Sequence, residues 1–230
     1  LTALTLSNAG QLTASGDAHV HAQTLDNRAG SVTAGNALDV AASGTLDNTG
    51  GTLSGAETRI AAASIDNTHG SIDGDALAVA TSGDLLNRDG KLAQYGARNQ
   101  TINAGGALDN AGGTIASNAN NPSVIGQSIA NDGGAIQHAG AGVLVVDSKG
   151  ALSNVAGQLV TNGALVLRAA LALNNRQGAI QAARRADVSG ASIDNTAGRI
   201  VSLSGDGLSV SAADALNNGA GGMIGSNGSL

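Results

Sequence analysis

The sequence predicts an all-β fold, a parallel β-helix (solenoid) of about eleven turns with repeats of 19–23 residues. Three observations point to it. One motif recurs eleven times along the 230 residues. Between its copies, aliphatic residues alternate with a period of two, which is a strand pattern and not a helix pattern. The chain also has no Phe or Trp, a single Tyr (Tyr95) and 35 Gly. Aromatic side chains are the usual bulk of a globular core, so any core here must be thin and lined by Leu, Ile, Val and Ala. Disorder is the alternative for a chain rich in Gly, Ser and Asn. It is disfavoured because 42% of residues are hydrophobic and their placement is periodic.

The motif is an aliphatic residue, a small or acidic residue, Asn, two variable residues, Gly, one variable residue and a closing aliphatic residue. It reads Leu25-Asp26-Asn27-Arg28-Ala29-Gly30-Ser31-Val32 and returns at Leu46 and Ile65. Later copies begin at Leu85, Leu108, Ile129, Leu152, Leu173, Ile193 and Leu216, the last closing at Met223, and a copy one residue shorter runs from Leu6 to Leu12. The central asparagines are Asn8, Asn27, Asn48, Asn67, Asn87, Asn110, Asn131, Asn154, Asn175, Asn195 and Asn218. Asn tolerates the left-handed backbone of a sharp corner, and stacked Asn amides can bond to each other along a rod. A structural Asn column is therefore expected. The Gly three residues later is expected to supply a positive φ at the next bend.

Between motifs lie the pairs Leu38/Val40, Leu77/Val79, Leu165/Leu167 and Leu208/Val210. Each repeat thus holds two or three short strands joined by Gly, Asn and Ser turns. The variation in length falls mostly between the closing aliphatic and this second pair, where one corner loop absorbs it. A repeat of this size cannot bury its apolar face alone, but stacked turns cover one another. Eleven turns at ~4.8 Å make a rod on the order of 50 Å long.

The repeated Leu-Asp-Asn-x-x-Gly-x-Leu unit, set in Ala, Gly, Ser and Thr, resembles the filamentous haemagglutinin repeats of two-partner-secretion exoproteins. These include adhesins and contact-dependent growth inhibition effectors. The resemblance covers essentially the whole chain. It implies a right-handed β-helical filament, exported through a partner outer-membrane transporter and displayed at the bacterial cell surface. Neither a secretion domain nor a toxin domain is recognisable within these residues. Residues 1–230 are therefore read as one β-helical repeat segment, a piece of a longer filament.

Composition narrows the function further. The formal net charge is −6, with 11 Lys and Arg scattered so that Arg184-Arg185 is the only adjacent pair, which argues against a nucleic-acid partner. Cysteine is absent, so no disulfide or thiol chemistry is available. No apolar run approaches a membrane span. Polysaccharide-cleaving enzymes on parallel β-helices need converging carboxylates, whereas Glu57 is the sole Glu. No catalytic residue and no cofactor are expected.

Four groups of residues invite a closer reading. Asp17, His19 and His21 share one outer strand face, with Asp39 on the turn above, and could hold a transition metal; a solvated polar face is the plainer reading. Asp26, Asp47 and Asp66 occupy one repeat position on consecutive turns, as exposed acids screened by Arg28 or, less simply, a calcium column. Asn118, Asn120, Asn121 and Pro122, the only Pro, form a corner loop expected to stand off the shaft as a candidate binding loop; a tolerated insertion is the plainer reading. Val143-Leu144-Val145-Val146 reads as a core strand that could expose an apolar patch. A regular Thr array for ice or surface binding is a poor fit, because Thr49 and Thr68 align but the column then breaks.

The expected function is a structural shaft segment of a large secreted surface adhesin, carrying distal binding or toxin modules and contributing to attachment. The alternative is a segment whose lateral face itself binds a receptor or glycan on a host cell or a neighbouring bacterium. End-to-end self-association of the isolated segment is also expected, through unpaired backbone groups at the ends of the stack.

Overall fold

The computed structural model describes residues 1–230, which form 25 β-strands and no helix. Every pairing between neighbouring strands is parallel, and each joins one coil to the next. The result is a β-solenoid of about eleven turns. A coil supplies three strands, as when Ala107–Asp109, Thr114–Ser117 and Ser123–Gly126 pair with Ser128–Ala130, Ala135–His138 and Val143–Ser148 of the following coil. The rod therefore has three strand faces and three corners.

The first face carries the aliphatic residue before each Asn, stacked in register as Leu25, Leu46, Ile65, Leu85, Leu108, Ile129, Leu152, Leu173, Ile193 and Leu216. The second face carries the closing aliphatic, from Leu12 and Val32 up to Ile200 and Ile224. The third carries two inward residues per coil, such as Leu38/Val40 and Leu144/Val146. Alternation puts one side chain inside and the next outside along each strand. The interior is one cluster of 38 buried aliphatic residues. Full burial of each Leu, Ile or Val stabilises by about 1.5–3 kcal/mol, so the coils are held by many equal increments and by no single nucleus.

Two core assignments differ from the sequence pattern. The last coil closes on Ile224, which pairs with Ile200, while Met223 pairs with Arg199 and is 52% exposed. One extra residue in that turn shifts the register, and a one-residue shift reverses the side-chain face. In the third face, the inward column that holds Leu38 and Leu77 also takes Thr58, Gln100 and Pro122, all buried. The aliphatic pairing of Leu77/Val79 is thus replaced by Gln100/Ile102 in the next coil.

Loop length varies at the corner between the second and third faces. Five positions separate Leu53 from Thr58, but eight separate Leu92 from Gln100 and Ile136 from Leu144. The bend back to the first face spans only five or six, as from Ile60 to Ile65 or Val79 to Leu85. Val143 and Val145 point outward and are half-buried, while Leu144 and Val146 lie in the core.

Candidate functional site

The eleven asparagines meet at the corner between the first and second faces. Each Nδ2 donates to the Oδ1 of the Asn one coil later at 2.7 Å, in ten consecutive bonds from Asn8 to Asn218. The same amides donate to the carbonyl of the Gly three residues on, 3.2–3.3 Å away for Asn27 and Asn48. Asn27 through Asn195 are essentially fully buried. A buried amide without partners costs about 1–3 kcal/mol, and here the column supplies its own.

The corner is built differently from the sequence expectation. None of these asparagines takes a positive φ; that conformation falls two residues later, at Ala29, Gly50, His69, Asp89, Gly112, Gly133, Ala156, Gln177, Ala197 and Ala220. In the last coil, which is one residue longer, Gly221 takes it as well, at +78°, and Gly222 stands in the later position; from Asn27 to Asn195 the glycine three residues after the Asn does not take it. Its constraint is space. A Cβ on Gly30, Gly51, Gly70, Gly90, Gly113, Gly134, Gly157, Gly178, Gly198 or Gly222 would lie 2.0–2.4 Å from the carbonyl oxygen of the Asn in the preceding coil.

In seven coils, those of Asp26, Asp47, Asp66, Asp109, Asn174, Asp194 and Asn217, the residue before the Asn caps the turn. Asp47 Oδ1 accepts the Thr49 N–H at 3.0 Å, and Asp66 does the same for Thr68 at 2.9 Å. Asp109, Asn174, Asp194 and Asn217 repeat the bond. This explains why Asp or Asn precedes the column in these coils, since short polar side chains close such turns; beside Ser153 the Val155 N–H is taken instead by Asp132 of the preceding coil, at 2.8 Å. Asp26, Asp47 and Asp66 stack in register and are half-buried. Arg28 spans two of them, with Nη2 at 2.7 Å from Asp26 and Nε at 3.6 Å from Asp47. The hydrogen bond from Arg28 holds the Asp26 carboxyl below its ordinary range, and the Thr196 hydroxyl does the same for Asp194.

The proposed metal cluster does not assemble. His19 Nδ1 lies 3.2 Å from Asp39, but Asp39 also faces Arg59 Nη1 at 3.5 Å, and Asp17 accepts the Ala37 N–H. No group of three His, Cys, Asp or Glu side chains in the protein is placed to hold a metal ion. A cation on Asp39 would have to displace a guanidinium. Glu57, the one Glu, sits between Arg59 and Arg98, whose hydrogen bonds lower its pKa, Arg98 contributing most.

The loop from Asn118 to Pro122 does not stand off the rod. Its Asn118 and Asn120 N–H groups donate to Gln94 O and Ala97 O below, each at 3.0 Å. Above it, Val143 N donates to Asn121 Oδ1 and Val145 N to Pro122 O. Ala119 and Pro122 are buried, and only the side chains of Asn118, Asn120 and Asn121 face solvent. The N–H groups of Asn118, Ala119 and Asn120 are all hydrogen-bonded.

Sequence reading missed a second buried polar column at this variable corner. Gln94, Ser117, His138 and Thr161 stack in register on consecutive coils at the end of the second face, and Ser202 follows beyond Ala182. Each bonds a nearby backbone group in its own way: Ser117 Oγ accepts the Ala119 N–H, Thr161 Oγ1 accepts that of Gly163, and Ser202 donates to Arg184 O. Their identities follow no fixed pattern from coil to coil, so only stacking exposes them. On the Asn corner, Thr52, His69, Ser71, Asp89, Lys91 and Thr114 rim a shallow, glycine-floored trough across four coils.

A family model described as haemagglutinin repeat matches residues 2–112, 95–156, 154–220 and 194–229, which together span nearly the whole chain. No curated protein and no solved structure matches it.

Proposed function

The chain belongs to the haemagglutinin repeat family, and from that premise we propose that it is a length of shaft in a secreted bacterial surface filament, spacing binding or toxic modules away from the cell. The observation that carries this reading is continuity. The Asn ladder runs unbroken through ten inter-coil bonds, and the core columns run with it. Such a stack bends little and can be lengthened by further copies without new contacts. Adhesin and two-partner-secretion character follow from the family; passage through a dedicated outer-membrane transporter and contact with a host cell or neighbouring bacterium through the full-length protein belong to the proposal.

One observation favours a second reading, that the lateral face itself engages a receptor or glycan. The trough at the Asn corner presents hydroxyls, a carboxylate, an imidazole and an ammonium along four coils, and weak sites repeated on a long filament gain through multivalency. Binding of the fluorescently labelled chain to epithelial and to bacterial cells, beside a variant with Thr52, Ser71, Lys91 and Thr114 replaced by Ala, separates the two. Absence of saturable binding to either cell type is the shaft result. Saturable binding that the variant loses overturns the pure spacer and assigns the trough.

A further inference from the structure

His138 is the only titratable side chain buried in the protein, at 3% exposure. It sits in the polar column of the variable corner, between Ser117 below and Thr161 above. Its Nε2 lies 2.8 Å from Ala119 O, inside the 118–122 loop, and its Nδ1 lies 2.8 Å from Thr161 Oγ1. A carbonyl only accepts, so Nε2 must carry the proton and Nδ1 must accept from the Thr161 hydroxyl. Thr161 Oγ1 already accepts the Gly163 N–H. The backbone closes over the ring at Gly140, where a Cβ would lie 2.5 Å from Nε2.

The surroundings offer a cation nothing. Thr114–Ser117, Gln158–Thr161, the histidine's own strand Ala135–His138, the 118–122 loop and residues 139–142 contain no Asp, Glu, Lys or Arg. The nearest charged groups of this corner lie two coils away and are exposed: Arg98 below, paired with Glu57, and Arg184 and Arg185 above, Arg185 paired with Asp187, so no free carboxylate faces the ring. Protonation at Nδ1 would replace an acceptor with a donor facing the Thr161 hydroxyl, and would bury an unpaired charge.

We infer that His138 is an acid-released clamp: the neutral imidazole pins Ala119 and with it the Asn118–Pro122 corner to the rod, and the imidazolium lets that corner go. Burial already pushes the pKa of His138 below its ordinary value, with the Ala119 hydrogen bond opposing. The sign follows. The open corner takes up its proton near the unfolded value of about 6.5, whereas the closed corner resists until lower pH. Closure is complete above that value and weakens as pH falls toward the depressed one. Over that window the open fraction grows about tenfold per pH unit for one linked proton. Acid thus presents Asn118, Asn120 and Asn121 on a freed loop while the Asn ladder stays shut.

Backbone hydrogen exchange, corrected for the intrinsic rate and followed from pH 7.5 to 4.5, tests this. Protection of 118–122 and 139–142 is expected to fall about tenfold per pH unit below about 6.5, with 48–52 unchanged. The His138→Gln variant is expected to lose that dependence. A second variant, His19→Gln/His21→Gln/His69→Gln, leaves His138 as the only imidazole and must retain it; it decides the matter if His138→Gln does not fold. Protection of the corner that is flat with pH in the wild type, or a pH dependence absent from the triple variant, overturns the clamp.

Discussion

The two corners flanking the second face solve one problem in opposite ways. At the Asn corner two devices recur in nearly every coil, a buried amide in a ladder and a glycine under the preceding carbonyl, and a capping residue joins them in seven. At the variable corner the chain takes from five to eight positions to turn, and each coil closes with whatever polar group it has, among them Gln94, Ser117, His138 and Thr161. The first corner fixes register and keeps one spacing from Leu25 through Ile200, departing from it only in the terminal coils, where Leu6 to Leu12 is one residue shorter and Leu216 to Ile224 one longer. The second inherits its register from the strands on either side and tolerates variety. Uniformity in a repeat therefore marks where geometry is dictated, and diversity marks where it is delegated.

Changes at the Asn corner should break this contrast most severely. Gly113→Ala would place a Cβ 2.0 Å from Asn87 O, so the backbone must separate two coils. Overpacking costs about 1–3 kcal/mol and occasionally more; urea unfolding should put this variant at or beyond the top of that range. Gly50→Ala, with φ +62° and nothing within 4 Å, is the control and should cost only about 1–2 kcal/mol. Equal losses would mean that the close approach is not the constraint. Next comes Asn67→Ala, which strands the Asn48 donor and the Asn87 acceptor. Each orphaned buried group costs about 1–3 kcal/mol, so a clear drop in thermal midpoint is expected, and an unmoved midpoint would reduce the ladder to decoration.

The variable corner should respond in the opposite sense. Neither polar atom of the buried Gln100 amide has a hydrogen-bond partner, and the neighbouring positions of its column are Leu77 and Pro122. Gln100→Leu should therefore stabilise by about 1–3 kcal/mol, read as a higher urea midpoint; destabilisation would show that the amide is paired in solution. The smallest effect is expected for Asn118→Ala. It removes one exposed bond, from Nδ2 to Tyr95 O at 3.0 Å, and should cost about 1 kcal/mol or less. A loss as large as that of Asn67→Ala would erase the distinction between the corners.

What could be seen from the sequence divides along the same line. The repeated Leu, Asn, Gly and Leu columns gave the coil count, the parallel stacking and the core, because periodicity reports which residues are equivalent. Periodicity does not report why. Gly30 and its equivalents look like positive-φ residues until the overlying Asn carbonyl is located, and Ala29 or His69 gives no hint that it carries the left-handed turn. The His19, His21 and Asp39 grouping followed from strand alternation, but Arg59, one coil further and in register with Asp39, could be placed only by stacking. Met223 took the place of Ile224 because one inserted residue is invisible to a fixed spacing. His138 and Gln94 escaped notice because their column changes residue type from coil to coil with no fixed pattern.

The hydrogen bonds that join the coils, including every rung of the Asn ladder, run along the long axis of the rod. A pull on the two ends of the chain therefore loads them one coil at a time, as in opening a zipper, and never all together in shear. Each coil that yields releases 19–23 residues, or roughly 65–80 Å of extended chain, in place of ~4.8 Å of rod. Under tension such a shaft lengthens in nearly equal steps at a modest, nearly constant force. It is stiff when unloaded and behaves as a shock-absorbing tether when pulled.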